Sequence, residues 1–200
     1  MKKIYTMLPQ QDTKYTFYGN AERQLYKNCQ DKVKYAIEAY LTDVIKEGEQ
    51  FKLIVIDSFK NEKSEERFNE LKDNIVNKYN DNVTIEKLHL NLDENTDSQV
   101  HLFKGVYKTF EENDEVYFDI TFGLKPNPIS VMIALNYGVN FIKNFTVKRI
   151  VYAYYTFGAP EDYVHPFINV TSLFYMNQLI EKMGQMGVKD PTAFIDMFIK

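Results

Sequence analysis

The chain has 200 residues, 44% hydrophobic and 26% charged, the proportions of a globular protein with a full core. A net charge of -4 excludes a general DNA- or RNA-coating protein, which needs a broad basic surface. The lone cysteine, Cys29, rules out an internal disulfide, and no stretch reaches the roughly 18 apolar residues of a membrane helix.

The first apolar run, KIYTML (2–7), reads as a strand. It opens into a long polar loop, PQQDTKYTFYGN (9–20), holding Gln10, Gln11, Asp12, Thr13, Lys14 and Tyr15. The lysines at the start precede too short an apolar run for a signal peptide, so a cytoplasmic location is expected and the Asn-x-Thr triplets at Asn82, Asn144 and Asn169 are chance matches. Residues 29–47 place Val33, Ile37, Tyr40, Leu41, Val44 and Ile45 on one helical stripe. FKLIVID (51–57) is the second strand, and DSFKN (57–61) after it contributes Ser58 and Phe59.

A heavily charged helix follows at 62–79, with Phe68, Leu71, Ile75 and Val76 as its apolar positions. NVTIEKLHL (82–90) is a strand, and 98–112 a helix carrying Val100, Phe103, Val106, Tyr107 and Phe110. EVYFDIT (115–121) is the fourth strand, and it runs into FDITFGLKPNP (118–128). The helix over 128–143 is apolar nearly all round and is expected to be well buried. VKRIVYAYY (147–155) is the last strand, followed by TFGAPEDY (156–163) with Gly158 and Ala159. Two helices end the chain, broken at GVKDP (187–191), where Asp190 before Pro191 marks a helix start.

Strand–helix alternation with near-continuous apolar strands predicts an α/β fold, Rossmann-like, with a mostly parallel sheet and helices on both faces. Residues 1–170 are expected to form one Rossmann-like domain and 171–200 a C-terminal helical extension.

In such a sheet, ligands gather beyond the carboxyl ends of the strands, so the loops at 9–20, 57–61, 121–127 and 156–163 share one rim. Within FDITFGLKPNP, Asn127 is placed to cap the next helix and Pro128 suits its first turn. The helix start favours phosphate, Gly123 lets a ligand approach the backbone, and Lys125 and Thr121 add a cation and a hydroxyl. Asp119 is read as holding the turn rather than reacting, and Asp57 as capping its loop. No GxGxxG, GxxxxGK[ST] or GxSxG is present, and His89, His101 and His165 lack ligand spacing. No cofactor and no metal are expected.

Asp119-Ile120-Thr121-Phe122-Gly123-Leu124-Lys125-Pro126, with Pro128 beyond, resembles the Asp-Ile-Thr-His-Gly-Phe-Arg-Ser signature of CRISPR-associated proteins with a CARF domain. Phe122 stands for the histidine, Leu124 for the phenylalanine and Lys125 for the arginine. MLPQQDTKYTFYGN (7–20) is similar to the family's first loop, FGAPE (157–161) to its Tyr-Gly-Ala-x-Glu, and INVTSLF (168–174) to its closing segment. The resemblance implies a two-fold homodimer binding cyclic oligoadenylate, cyclic tetra-adenylate above all, as sensor for a fused or separate antiviral effector. It implies no DNA or membrane partner for this chain. Adenines would stack on Tyr15 or Phe122 and meet the amides of Gln10, Gln11 or Asn127. Some family members cleave their ligand without metal; here Thr13, Lys14, Thr121 and Lys125 would carry that chemistry. With Phe122 where the family has histidine, binding rather than cleavage is expected. An unrelated doubly wound protein that binds a nucleotide or anion is the remaining alternative.

Overall fold

A computed structural model describes residues 1–19, 31–58, 62–90 and 96–196. Its strands are β1 (Lys2–Met7), β2 (Phe17–Gly19), β3 (Phe51–Asp57), β4 (Val83–His89), β5 (Glu115–Asp119), β6 (Thr146–Ala153) and β7 (Val164–Asn169). They form one sheet in the order β2-β7-β6-β5-β1-β3-β4. All neighbours pair in parallel except β6 and β7, which are antiparallel. The fold is α/β and Rossmann-like, with helices on both faces of a mostly parallel sheet.

The strand residues explain the layering. In β1, Ile4 and Leu8 face one core while Tyr5 and Met7 face the other, as a period of two requires. Helices α1 (Ala36–Val44) and α2 (Glu62–Tyr79) cover the first face through Ile37, Tyr40 and Leu41 and through Phe68, Leu71 and Ile75. Helices α3 (Thr96–Tyr107), α4 (Asn127–Phe141) and α5 (Thr171–Met186) cover the second through Leu102 and Val106, Val131, Ala134 and Leu135, and Phe174. Each such side chain, fully buried, contributes about 1.5–3 kcal/mol. The Tyr175 hydroxyl donates to Val147 O at 2.6 Å, tying α5 to β6. Helix α6 (Pro191–Asp196) opens where the Asp-Pro pair indicated, and the Asp190 carboxylate accepts from Ala193 N at 3.0 Å. No helix among the described residues is long and apolar enough to cross a membrane.

Three sequence expectations are corrected. Among the described residues, the helix read over 29–47 is regular only at Ala36–Val44. Val33 leaves the helical stripe because its backbone pairs with Thr16 instead, by Thr16 N to Val33 O at 3.0 Å and Val33 N to Thr16 O at 2.9 Å. Cys29 lies outside the described residues. Helix α4 is not buried all round. Val131, Ala134, Leu135 and Gly138 pack inward, while Ile129, Ile133 and Phe141 are 65%, 54% and 75% exposed, because no layer among the described residues covers that side. Asn127 does not cap α4. The helix takes Pro126 as its cap residue, and the Asn127 side chain turns inward, accepting from Gln99 Nε2 at 3.3 Å and donating to Met7 Sδ at 3.9 Å.

Strand β1 has β3 on one side and β5 on the other, so the order of connection reverses between β1 and β5. That reversal leaves a crevice beyond the strand ends, where ligands of open α/β sheets bind.

Candidate ligand-binding site

A cleft of about 420 Å³ lies at this reversal point. It falls within the roughly 300–1,000 Å³ of small-molecule sites. Pro9 to Lys14, after β1, form one wall; Thr121, Phe122 and Gly123, after β5, form the next; Tyr18, Tyr155 and Phe157 complete the lining.

The first wall is held at three places. Leu8 N donates to Ile56 O at 3.0 Å, which prolongs the β1–β3 ladder by one bond. Arg67 of α2, a buried guanidinium, donates to Asp12 Oδ1 from Nε at 3.2 Å and Nη2 at 2.9 Å, and from Nη1 to Pro9 O at 3.3 Å. The hydrogen bond and charge of Arg67 hold the Asp12 carboxyl below its usual range. The Thr16–Val33 pair fixes the far end. Between these anchors Gln10, Gln11 and Lys14 are exposed on the cleft, and Thr13 Oγ1 is buried with no hydrogen-bond partner.

The second wall is organised by Asp119, whose carboxylate has no solvent exposure. It accepts from Thr6 Oγ1 at 2.9 Å, from Thr121 N at 3.0 Å and from the Thr121 hydroxyl. Thr121 Oγ1 in turn accepts from Ala153 N at 2.8 Å, joining the ends of β5 and β6. Burial pushes the Asp119 carboxyl above its usual range, against the pull of these hydrogen bonds. The turn then needs glycine: Gly123 has φ +101°, and a Cβ there would lie 2.5 Å from Met7 Sδ. Gly123→Ala is expected to lose about 1–3 kcal/mol of stability. Thermal melts check this, and an unchanged melting temperature would show that the turn relaxes freely.

The third wall follows β6. The Tyr155 ring stacks on the His165 imidazole at 4.3 Å, and Phe157 meets Tyr155 edge-on at 5.1 Å. Thr156 N donates to His165 Nδ1 at 3.1 Å, and burial lowers the His165 pKa, so a neutral ring sits behind Tyr155.

The structure therefore brings Gln10, Gln11, Asp12, Thr13, Lys14, Thr121, Phe122 and Gly123 into one cleft. Tyr15, Ser58, Leu124, Lys125, Asn127, Gly158 and Ala159 lie off its lining. Asn127 is fully buried, and Ser58 Oγ is buried without a partner. Lys125 is exposed at the start of α4, and Phe59 lies outside the described residues. At the end of β3, Asp57 is a structural hub: Ser64 Oγ donates to it at 2.5 Å, Lys87 Nζ lies at 3.0 Å and His89 Nδ1 at 3.2 Å. Among the described residues no three His, Cys, Asp or Glu side chains gather as a metal site.

Arg67, Tyr18, Tyr155 and Phe157 are the site residues that sequence reasoning missed. Arg67 looks like one more charge on a charged helix. The aromatic run VYAYYTF carried a visible signal, since rings at 154–157 extend past the apolar strand into a polar loop.

Neither the protein-family models nor the curated proteins compared with this chain include a match to it.

Proposed function

We propose that this chain is a cyclic oligoadenylate sensor of CARF type, binding the ring as a homodimer within type III CRISPR defence. The observation that carries the reading is the meeting of the Thr121–Gly123 turn and the Gln10–Lys14 loop in one cleft at the sheet's reversal point. Both segments bear the resemblance to that family, and nothing in their sequence separation requires them to touch. A dimer is supported by α4, which has no charged residue and turns Ile129, Ile133 and Phe141 to solvent. A cyclic ligand spanning two such clefts would meet the exposed Lys14 from each subunit.

Binding is favoured over cleavage. The cleft lining includes no histidine, and the Thr121 hydroxyl is engaged by Asp119 and Ala153. A metal-independent ring nuclease would therefore rest on in-line positioning by Thr13 and Lys14, with Lys125 outside the lining.

The test is a thermal-shift and calorimetry series with rings of three to six adenylates. A ligand at 100 times its Kd adds about 2.7 kcal/mol, which raises the melting temperature of a domain this size by roughly 5–10 °C. One ring per dimer is the expected stoichiometry. A monomer in sedimentation with no heat for any ring would refute the reading and favour the unrelated nucleotide- or anion-binding alternative. Chromatography after prolonged incubation separates sensor from nuclease: intact ligand is expected.

A further inference from the structure

We infer that Phe157 and Tyr155, on the loop after β6, form the stacking wall of the cleft, and that its occupant is a purine base read at its edge by the Gln10 or Gln11 amide. This rests on the sensor reading for the identity of the ligand, though not for its chemical class. Phe157 is 89% exposed yet lines the cleft, an unusual place to leave a phenyl ring uncovered. It does not stand alone. Tyr155 behind it is backed by His165 with the two planes 23° apart, and Tyr163 meets the other side of that cluster at 5.2 Å from His165. The hydrogen bond from Thr156 N to His165 Nδ1 orients the imidazole on which Tyr155 stacks.

A rigid aromatic face at a cleft mouth suits a flat heterocycle, since base stacking on such rings is tolerant of sequence but requires a base. The other two walls offer Phe122 and the exposed amides of Gln10 and Gln11. A primary amide presents a donor beside an acceptor, the pattern that matches the N6/N7 edge of adenine. Of the two rings nominated with the family resemblance, Phe122 lines the cleft and Tyr15 lies off it.

The chain has no tryptophan, so Phe157→Trp places a single indole on this wall. Adenine-bearing ligands (cyclic tetra-adenylate, and AMP at millimolar concentration) should quench its emission saturably, whereas ribose 5-phosphate, which has no base, should not. Phe157→Ala should weaken binding about 5- to 150-fold, and Phe157→Tyr should restore most of it. The exposure of Phe157 makes these changes safe for the fold, which circular dichroism verifies. If cyclic oligoadenylate fails to bind but AMP quenches the indole, the sensor reading falls and the stacking wall stands. If cyclic tetra-adenylate binds Phe157→Ala as tightly as wild type, the wall is overturned and the sensor reading stands. No quenching by any base-bearing ligand also overturns the wall.

Discussion

Replacing Asp119 with alanine is expected to destabilise the protein by about 3–5 kcal/mol, because it strips several buried donors of their shared acceptor. The Thr6 hydroxyl, the Thr121 N–H and the Thr121 hydroxyl all donate to this carboxylate. Each buried donor left without a partner is worth about 1–3 kcal/mol. Asp119→Asn should lose much less, since one amide oxygen still accepts from Thr121 and the Thr6 hydroxyl can rotate to accept. Urea titrations of the two variants decide the matter; an alanine variant within about 1 kcal/mol of wild type would refute the scaffold role. The pH dependence follows from the raised carboxyl. Its folded pKa lies above the unfolded one, so the protonated form stabilises the fold. That contribution is full below the ordinary value of 3.8 and is lost as pH rises through the folded value. Wild type should therefore gain on Asp119→Asn as pH is lowered from about 7 to about 4.

The second large effect lies at the other end of the sheet. Lys3→Met is expected to lose about 3–5 kcal/mol, because it leaves a buried carboxylate without its counter-charge. The Lys3 ammonium, 1% exposed, donates to Thr109 O and Glu111 Oε2 at 2.7 Å and pairs with Asp114 Oδ2 at 2.8 Å. Glu111 is exposed and its loss of partner is screened by solvent. Asp114 is not: it is 1% exposed, and its remaining cation, the amino terminus, is 3.6 Å away. The double variant Lys3→Met with Asp114→Asn should recover much of the loss, since no unpaired charge remains. Denaturation midpoints of the single and double variants measure the coupling; additive losses would show that the pair is not a unit. Ligand affinity of the folded single variant should be unchanged, since Lys3 lies at the amino end of β1 and the cleft beyond its carboxyl end.

The five strands read from the sequence are all present because each is a run rich in apolar or β-branched residues; the central FKLIVID is buried from both sides, whereas the edge strand β4 is only half-buried. The two that escaped notice lack that signature. Strand β2 is three residues, FYG, within a polar stretch, and β7 carries Pro166, which argues against a strand inside a sheet. Pro166 supplies no N–H to the ladder, while its carbonyl accepts from Tyr154 N at 2.9 Å. For the site, strand-end logic located the rim, and the resemblance picked out the two loops that meet. The sequence could not place the Asn127 side chain, because a helix-start motif says nothing of which way it turns. Asn127 turned into the core. Tertiary partners such as Arg67 left no local trace, since nothing about a charge on α2 tells that it reaches back to Asp12.

The sheet order also carries a lesson about synthesis. Strands β1 and β2 are nearly consecutive in the chain, yet β5, β6 and β7 lie between them. The segment joining them must cross the top of those strands, and β2 pairs with β7 alone. As the chain leaves the ribosome, β1 and β3 can zip together early, while residues 17–19 wait for residues 164–166 before they have a strand to pair with. The first loop of the cleft is thus made near the beginning and locked near the end, so a nascent chain holds the parts of the cleft long before it holds the cleft.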